Sequence, residues 1–289
     1  MANTAAKKKP LILVSQDYDP KVWETLESGE SDFESWAAVA QDLWGLGCYG
    51  PGQHDAMLQA LNGVAIHKSK VVGVIGSTLG GIGIIAEENN AYIDVMDCNT
   101  ELLQKPPQPP ADAKGGKFLK SSGWDPNKIQ MPAARYHGLV CAGAISLAPN
   151  LADAVQSLTA AVKPGGFLFI DEIFATDPSA AALIAQGIAR ATEKLHLRPQ
   201  DEIVKALQGA SLELRSNAAS AEPLMDAIRK GLLGGKDIAQ ILTTIPAPFR
   251  KQRMMAFVGE LQRAAVLFQA LEKGLATAAR LIFRKAGDL

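Results

Sequence analysis

Apolar positions along the chain switch between a helical and an extended period, and each switch predicts an element. From Asp32 to about Leu46 the residues Phe33, Trp36, Ala37, Val39, Ala40, Leu43 and Leu46 recur at helical spacing, which predicts an amphipathic helix capped by Ser31 or Asp32. Tyr49-Gly50-Pro51-Gly52 breaks the chain, and a helix resumes over Asp55 to Leu61. Val71 to Gly76 is almost wholly apolar and ends in glycine, as a parallel strand buried on both faces does. A helix from Leu79 to about Glu88 starts among glycines. Ala91 to Asp97 predicts a second strand ending in an acid, which completes a strand, turn, helix and strand unit.

The alternation continues downstream. Lys105 to Lys117 reads as a loop, Lys117 to Lys120 as a short strand, and Gly138 to Ala142 as a stronger one. A helix over Leu151 to Val162 leads into the apolar strand Phe167 to Ile170, which runs up to Asp171 and Glu172. Ser179 to Gln208 is helical in pattern and Ser211 to Arg215 is strand-like. Pro223 to Leu271 is mainly helical, with breaks expected at Gly234-Gly235 and Pro246-Ala247-Pro248, and the end, Leu275 to Lys285, which includes the apolar run Ala278 to Phe283, supplies a last strand. This order predicts an α/β fold with a mostly parallel sheet and right-handed crossovers. Residues 1–30 form an N-terminal arm whose short apolar run, Leu11 to Val14, is an edge strand or an ordered arm.

Charge and composition narrow the function classes. The chain has 289 residues with 29 Lys and Arg against 30 Asp and Glu, so its net charge of -1 gives no electrostatic reason for a nucleic-acid partner. Lys7 to Lys9 is a solvated basic tail. Cys48, Cys98 and Cys141 are odd in number and widely spaced, and the four histidines fall at no metal-ligand spacing with them; neither a disulfide framework nor a metal is expected. With no run of eighteen apolar residues and no secretory signal pattern, a cytoplasmic protein that is not integral to a membrane is the expectation.

One turn carries chemistry. Gly76-Ser77-Thr78-Leu79-Gly80-Gly81-Ile82-Gly83 lies where a strand gives way to a helix, so backbone can approach a ligand closely and unpaired helix N–H groups face it. The same glycines also suit a tight turn for steric reasons alone. Asp97 follows Gly76 by twenty-one residues at the end of the next strand, where a carboxylate accepts both hydroxyl hydrogens of a ribose or caps the helix beginning at Thr100.

Several segments together resemble the class I S-adenosylmethionine-dependent methyltransferases. Val71 to Gly81 resembles their first motif, and Tyr92 to Leu103 their second strand with its ribose-binding acid. Tyr136-His137-Gly138-Leu139-Val140 is similar to the fourth-strand motif, and Val162-Lys163-Pro164-Gly165-Gly166 before an apolar strand to the family's Leu-Lys-Pro-Gly-Gly segment. Tyr49 to Gln53 is similar to the lead-in of many small-molecule members. The resemblance spans residues 45–285. It implies a Rossmann-like, doubly wound, seven-stranded, mostly parallel sheet with helices on both faces and extra helices at the N-terminus and in the C-terminal half. It also implies a single domain over residues 31–289, with a helical lid or insert at about 175–270.

The resemblance implies S-adenosylmethionine as cofactor, S-adenosylhomocysteine as product, and methyl transfer to O, N or C of a small organic acceptor. Gly76, Ser77, Thr78 and Gly80 would wrap the methionine part and Asp97 would hold the ribose. Cys98 and Asn99 would border the adenine, Asp125 would meet its amino group or form an Asp-Pro turn, and Cys141, Ala142 and Gly143 would face the methyl. Because the sulfonium already activates the methyl, positioning and water exclusion matter more than a dedicated nucleophile. Two departures stand out: Val74 occupies the place of an acid, and Thr78 that of a glycine. They motivate an alternative, a catalytically degenerate binding or assembly protein of this fold. A nicotinamide oxidoreductase is disfavoured, since Gly76 to Gly81 lacks the Gly-x-Gly-x-x-Gly spacing and no Tyr-x-x-x-Lys appears.

On the substrate side, contacts are expected beyond the carboxyl ends of the strands. Tyr49, His54 and Glu172 are the candidates; His54 is a general base or a capping residue. Trp36 and Trp44 are core or lid. Ile241 to Leu271, with its basic edge at Arg250, Lys251 and Arg253, packs as an ordinary helix or forms a homodimer contact, a substrate cover or a lipid contact.

Overall fold

The computed structural model describes residues 31–45, 48–53, 70–76, 92–99, 117–190 and 193–287. Seven strands form one sheet: β1 (Val71–Ile75), β2 (Tyr92–Asp97), β3 (Lys117–Gly123), β4 (Tyr136–Ala142), β5 (Val162–Ala175), β6 (Leu212–Ala219) and β7 (Ala276–Lys285). Their order across the sheet is β3-β2-β1-β4-β5-β7-β6. The first five run parallel, and β7 is antiparallel to both β5 and β6. The chain winds outward from β1 to β3 and then returns to lay β4 beside β1. That reversal opens a crevice at the carboxyl ends of β1 and β4, the place where ligands bind in such sheets.

Helices cover both faces. On one side lie α1 (Phe33–Trp44), α5 (Ala221–Thr244) and α6 (Ala247–Glu272), where Trp36, Val39, Leu242 and Phe257 pack against Val72, Val74, Val140 and Phe169. On the other lie α2 (Leu151–Ala161) and α4 (Gln200–Gly209), where Leu158 and Leu207 meet Ile75, Leu139, Cys141 and Ile170. Alternation along each strand decides which side chain serves which face. A third cluster, with Ile184 of α3 (Pro178–Ile188), Ile228 and Leu267, closes the end where β5 and β7 emerge. Asp32 caps α1 by accepting from the Ser35 amide at 2.7 Å.

Three elements differ from the pattern expected, each for a local reason. Strand β5 is longer than Phe167 to Ile170 because β7 pairs with it from Phe167 to Ala175, while a register shift between Tyr136 and Gly138 absorbs Lys163 to Gly166, with Gly165 at φ +73°. The helical stretch Ser179 to Gln208 is two helices, since residues 193–199 are neither helix nor strand and Pro199, with extended backbone, is the N-cap of α4. The break expected at Gly234-Gly235 is absent. Helix α5 runs through both. Of its glycines, Gly231 serves packing, since a Cβ there would lie 2.2 Å from the Trp44 ring, whereas one on Gly234 would meet open space. The expected elements at Leu11 to Val14, Asp55 to Leu61 and Leu79 to Glu88 lie outside the described residues. Among the described residues no helix is long and apolar enough to cross a membrane.

Candidate active site

A cavity of about 240 Å³ opens beyond the carboxyl ends of β1, β4 and β5, under a roof made by α1, residues 188–190 and 193–197, the start of α5, and α6. Its floor is set by register. Ile75 pairs with Cys141, so Gly76 stands opposite Ala142, and a Cβ there would lie 2.2 Å from the Ala142 carbonyl oxygen. Gly76 adopts φ +117°, and its N–H donates to the Met96 carbonyl at 3.1 Å. Only glycine fits a turn that is both left-handed and this close to a neighbouring strand.

Asp97 stands beside it at the tip of β2. Its Oδ1 accepts from the Asn99 amide at 2.7 Å, while Oδ2 is buried with no hydrogen-bond partner among the described residues. Burial raises its pKa; the Asn99 amide, Arg190 and the Cys98 thiol pull the other way. A buried carboxylate oxygen without a donor is costly, so the arrangement asks for a ligand donor such as a hydroxyl. Trp124 also lines the cavity, and its indole N–H is likewise without a partner among the described residues. Tyr49 closes this end, stacked on Trp36 at 5.4 Å, with its hydroxyl pKa raised by burial and by Asp97. The Cys98 thiol lines the wall and is pushed up to about 11 by burial.

The other sequence candidates divide. Ala142 and Gly143 line the cavity, the latter at φ +65° with its N–H donating to the Asp171 carbonyl at 2.9 Å. Cys141 does not; alternation turns it into the apolar core with Ile75 and Leu139, and burial holds its thiol protonated. Asn99 contributes its backbone amide to Asp97 and lies outside the lining. Asp125 is exposed outside the cavity and accepts from the Asn127 amide at 2.9 Å, the Asp-Pro turn geometry, which lowers its pKa. Ser77, Thr78, Gly80 and His54 lie outside the described residues.

Glu172 lines the cavity from the end of β5. It is buried, and Oε1 accepts from the amides of Ile145 and Ser146 at 2.6 and 3.3 Å. Burial outweighs those hydrogen bonds and pushes its carboxyl up to about 7. Its neighbour Asp171, also in the lining, sits 3.4 Å from Arg280.

Four charged residues that sequence reasoning did not single out build the roof. Glu260 of α6 accepts from the Trp36 indole at 2.7 Å, from the Trp44 indole at 3.1 Å and from Arg263. Arg190 donates to Glu193 and lies over the Trp36 ring at 4.2 Å. Trp36 is therefore core and Trp44 is cavity wall. The Arg190–Glu193 and Arg263–Glu260 pairs are local, but no local pattern marks the bonds of Trp36 and Trp44 to Glu260, which span more than 200 residues of chain. No group of His, Cys, Asp and Glu able to hold a metal ion occurs among the described residues.

No protein-family model matches the chain, and no curated protein matches it in sequence. Its fold is that of solved class I methyltransferases. A phosphoethanolamine N-methyltransferase 2 of Haemonchus contortus, in complex with phosphomonomethylethanolamine and S-adenosylhomocysteine, superposes with a TM-score of 0.69 at 13% identity, over 88% of this chain and 58% of that one. The geranyl diphosphate C-methyltransferase of Streptomyces coelicolor, bound to Mg2+, geranyl diphosphate and S-adenosyl-L-homocysteine, has a TM-score of 0.59 at 7% identity over 81% and 78%. The [4+2]-cyclase SpnF has one of 0.57 at 13% identity over 81% of each chain. At these identities the likeness is one of fold, and a cyclase among the matches means that the reaction has to be argued from the site.

Proposed function

We propose that this protein is a class I S-adenosylmethionine-dependent methyltransferase that methylates a small organic acceptor at O, N or C and releases S-adenosylhomocysteine. The observation that carries the reading is the pairing at the switch point: a turn at Gly76 that admits no side chain, next to the buried Oδ2 of Asp97, which has no donor among the described residues. That combination suits an adenosyl group, whose ribose offers two hydroxyl donors. When bound, the cofactor supplies a methyl already activated by its sulfonium.

The chain's own residues supply the rest. Asp97 would take the ribose hydroxyls, Trp124 and Cys98 would border the base, and Ser77, Thr78 and Gly80 would wrap the methionine part. Ala142 and Gly143 would floor the transfer position. The roof of α1 and α6 keeps water out, which strengthens every electrostatic contact inside. Glu172, titrating close to neutrality on the cavity wall, is suited to take the proton an acceptor hydroxyl or amine gives up. On this reading residues 31–289 act as one methyltransferase-like domain in the cytoplasm, with residues 175–270 covering the acceptor. The near-zero net charge favours a small molecule over nucleic acid.

Calorimetric titration of the full chain with S-adenosylmethionine and S-adenosylhomocysteine tests the proposal. Saturable binding of both is expected, and no binding at millimolar ligand contradicts it. One observation favours the second reading, a binding or assembly protein of the same fold: Val74 is fully buried in the apolar core where the family's acid would stand. Cofactor binding without methyl transfer to any compound in a metabolite extract would favour that reading.

A further inference from the structure

The roof of the cavity, together with the end of β5, holds its charged side chains by partners within the chain. Arg190 donates to Glu193, and Arg263 donates to Glu260, whose two oxygens also take the indole N–H groups of Trp36 and Trp44. Asp171 faces Arg280, and Glu172 holds the amides of Ile145 and Ser146. Each charged side chain in this half of the lining, among the described residues, thus has an intramolecular partner of opposite charge or a pair of amide donors. The remaining walls are mostly apolar, with Ile173, Ile188, Leu195, Leu197 and Leu267.

That arrangement discriminates by charge. An acceptor carrying a carboxylate, a phosphate or an ammonium group loses its hydration on entry and needs a counter-charge from the wall. Drawing Arg190 toward an anion loosens its pair with Glu193, and drawing Glu193 toward a cation loosens it from Arg190; either weakens the compensation of a largely buried charge. An uncharged molecule disturbs neither pair and gains apolar contact with the aliphatic walls. Resting on the methyltransferase reading, we propose that the acceptor half of this cavity takes an electrically neutral molecule with an apolar body, and that the Arg190–Glu193 and Arg263–Glu260 pairs act as the charge filter.

The test uses the full chain and two matched probe series at neutral pH: naphthol, naphthoate, naphthyl phosphate and naphthyltrimethylammonium, and the corresponding octyl compounds. An S-adenosylhomocysteine isotherm is recorded first and bears on the methyltransferase reading alone; the probes are then titrated with and without that ligand. The neutral member of at least one series is expected to bind at least roughly tenfold more tightly than each of its charged counterparts. Glu193→Gln, which releases Arg190, should raise affinity for the carboxylate probe by roughly tenfold, the size of one charge-assisted hydrogen bond. Arg190→Met should do the same for the trimethylammonium probe, so the filter stays testable if one variant fails to fold. The proposal is overturned if in both series no neutral member outperforms its charged counterparts, or if the folded variants keep the wild-type order of preference.

Discussion

The two oxygens of Asp97 differ: Oδ1 holds the turn through the Asn99 amide, and Oδ2 is buried with no hydrogen-bond partner among the described residues, which suits it to the proposed ribose contact. Asp97→Asn should therefore weaken S-adenosylmethionine binding by roughly 10- to 100-fold, the loss of a charged hydrogen bond. Folding stability should hold at neutral pH, because burial already disfavours the charged form; calorimetry and urea unfolding read the two quantities separately. Glu172 predicts a pH effect with a definite sign. Its carboxyl rises from 4.5 to about 7 on folding, so the stability it contributes is complete below pH 4.5 and is lost as pH climbs through 7. Glu172→Gln, which still accepts the Ile145 and Ser146 amides, should flatten that dependence, removing a wild-type loss of about 3 kcal/mol between these limits. Urea denaturation at acid and neutral pH checks it, and an unchanged slope would count against the burial argument. At this scale Asp97 and Ala142 were legible, because an acid or a small residue at a strand end has few roles. Cys141 was misplaced by one step of alternation, and Arg190 with Glu260 left no local trace.

Helices were legible as helices but not in their exact extents, since propensity yields to packing when two elements must come close. Gly234-Gly235 reads as a break, yet α5 passes through it without interruption from Ala221 to Thr244. Two glycines of this helix give opposite predictions. Gly234→Ala, with no atom within 4 Å of the new Cβ, should stabilise the protein by about 1 kcal/mol through helix propensity. Gly231→Ala drives a methyl into the Trp44 ring and should cost about 1–3 kcal/mol as an overpacked contact. It should also disturb the Trp44 bond to Glu260. Thermal unfolding of the pair, with tryptophan fluorescence as the second readout, distinguishes a glycine kept for helix packing from one kept for bending. Strand β6 was underestimated in length for a related reason: β7 lends it backbone partners as far as Ala219 that no single-strand pattern reveals.

The sheet as a whole was the most legible feature. Apolar runs ending in Gly76, Asp97, Ala142 and Asp171 mark parallel strands buried on both faces, and right-handed crossovers then leave few ways to order them. The antiparallel course of β7, threaded between β5 and β6, was not legible in the sequence, since that strand is as apolar as its neighbours. The consequence for function is positional. Winding outward and back places Gly76, Asp97 and Ala142 at one crevice, although they are spread across more than sixty residues of chain. The roof comes instead from α1 and from segments from residue 188 onward, so the floor and the roof of the cavity are built by different parts of the sequence. A structure of the protein with S-adenosylhomocysteine bound is the most direct test. It should show both ribose hydroxyls donating to the Asp97 carboxylate and the thioether sulfur above Ala142 and Gly143; an adenosyl group bound elsewhere, with Asp97 untouched, would contradict the assignment.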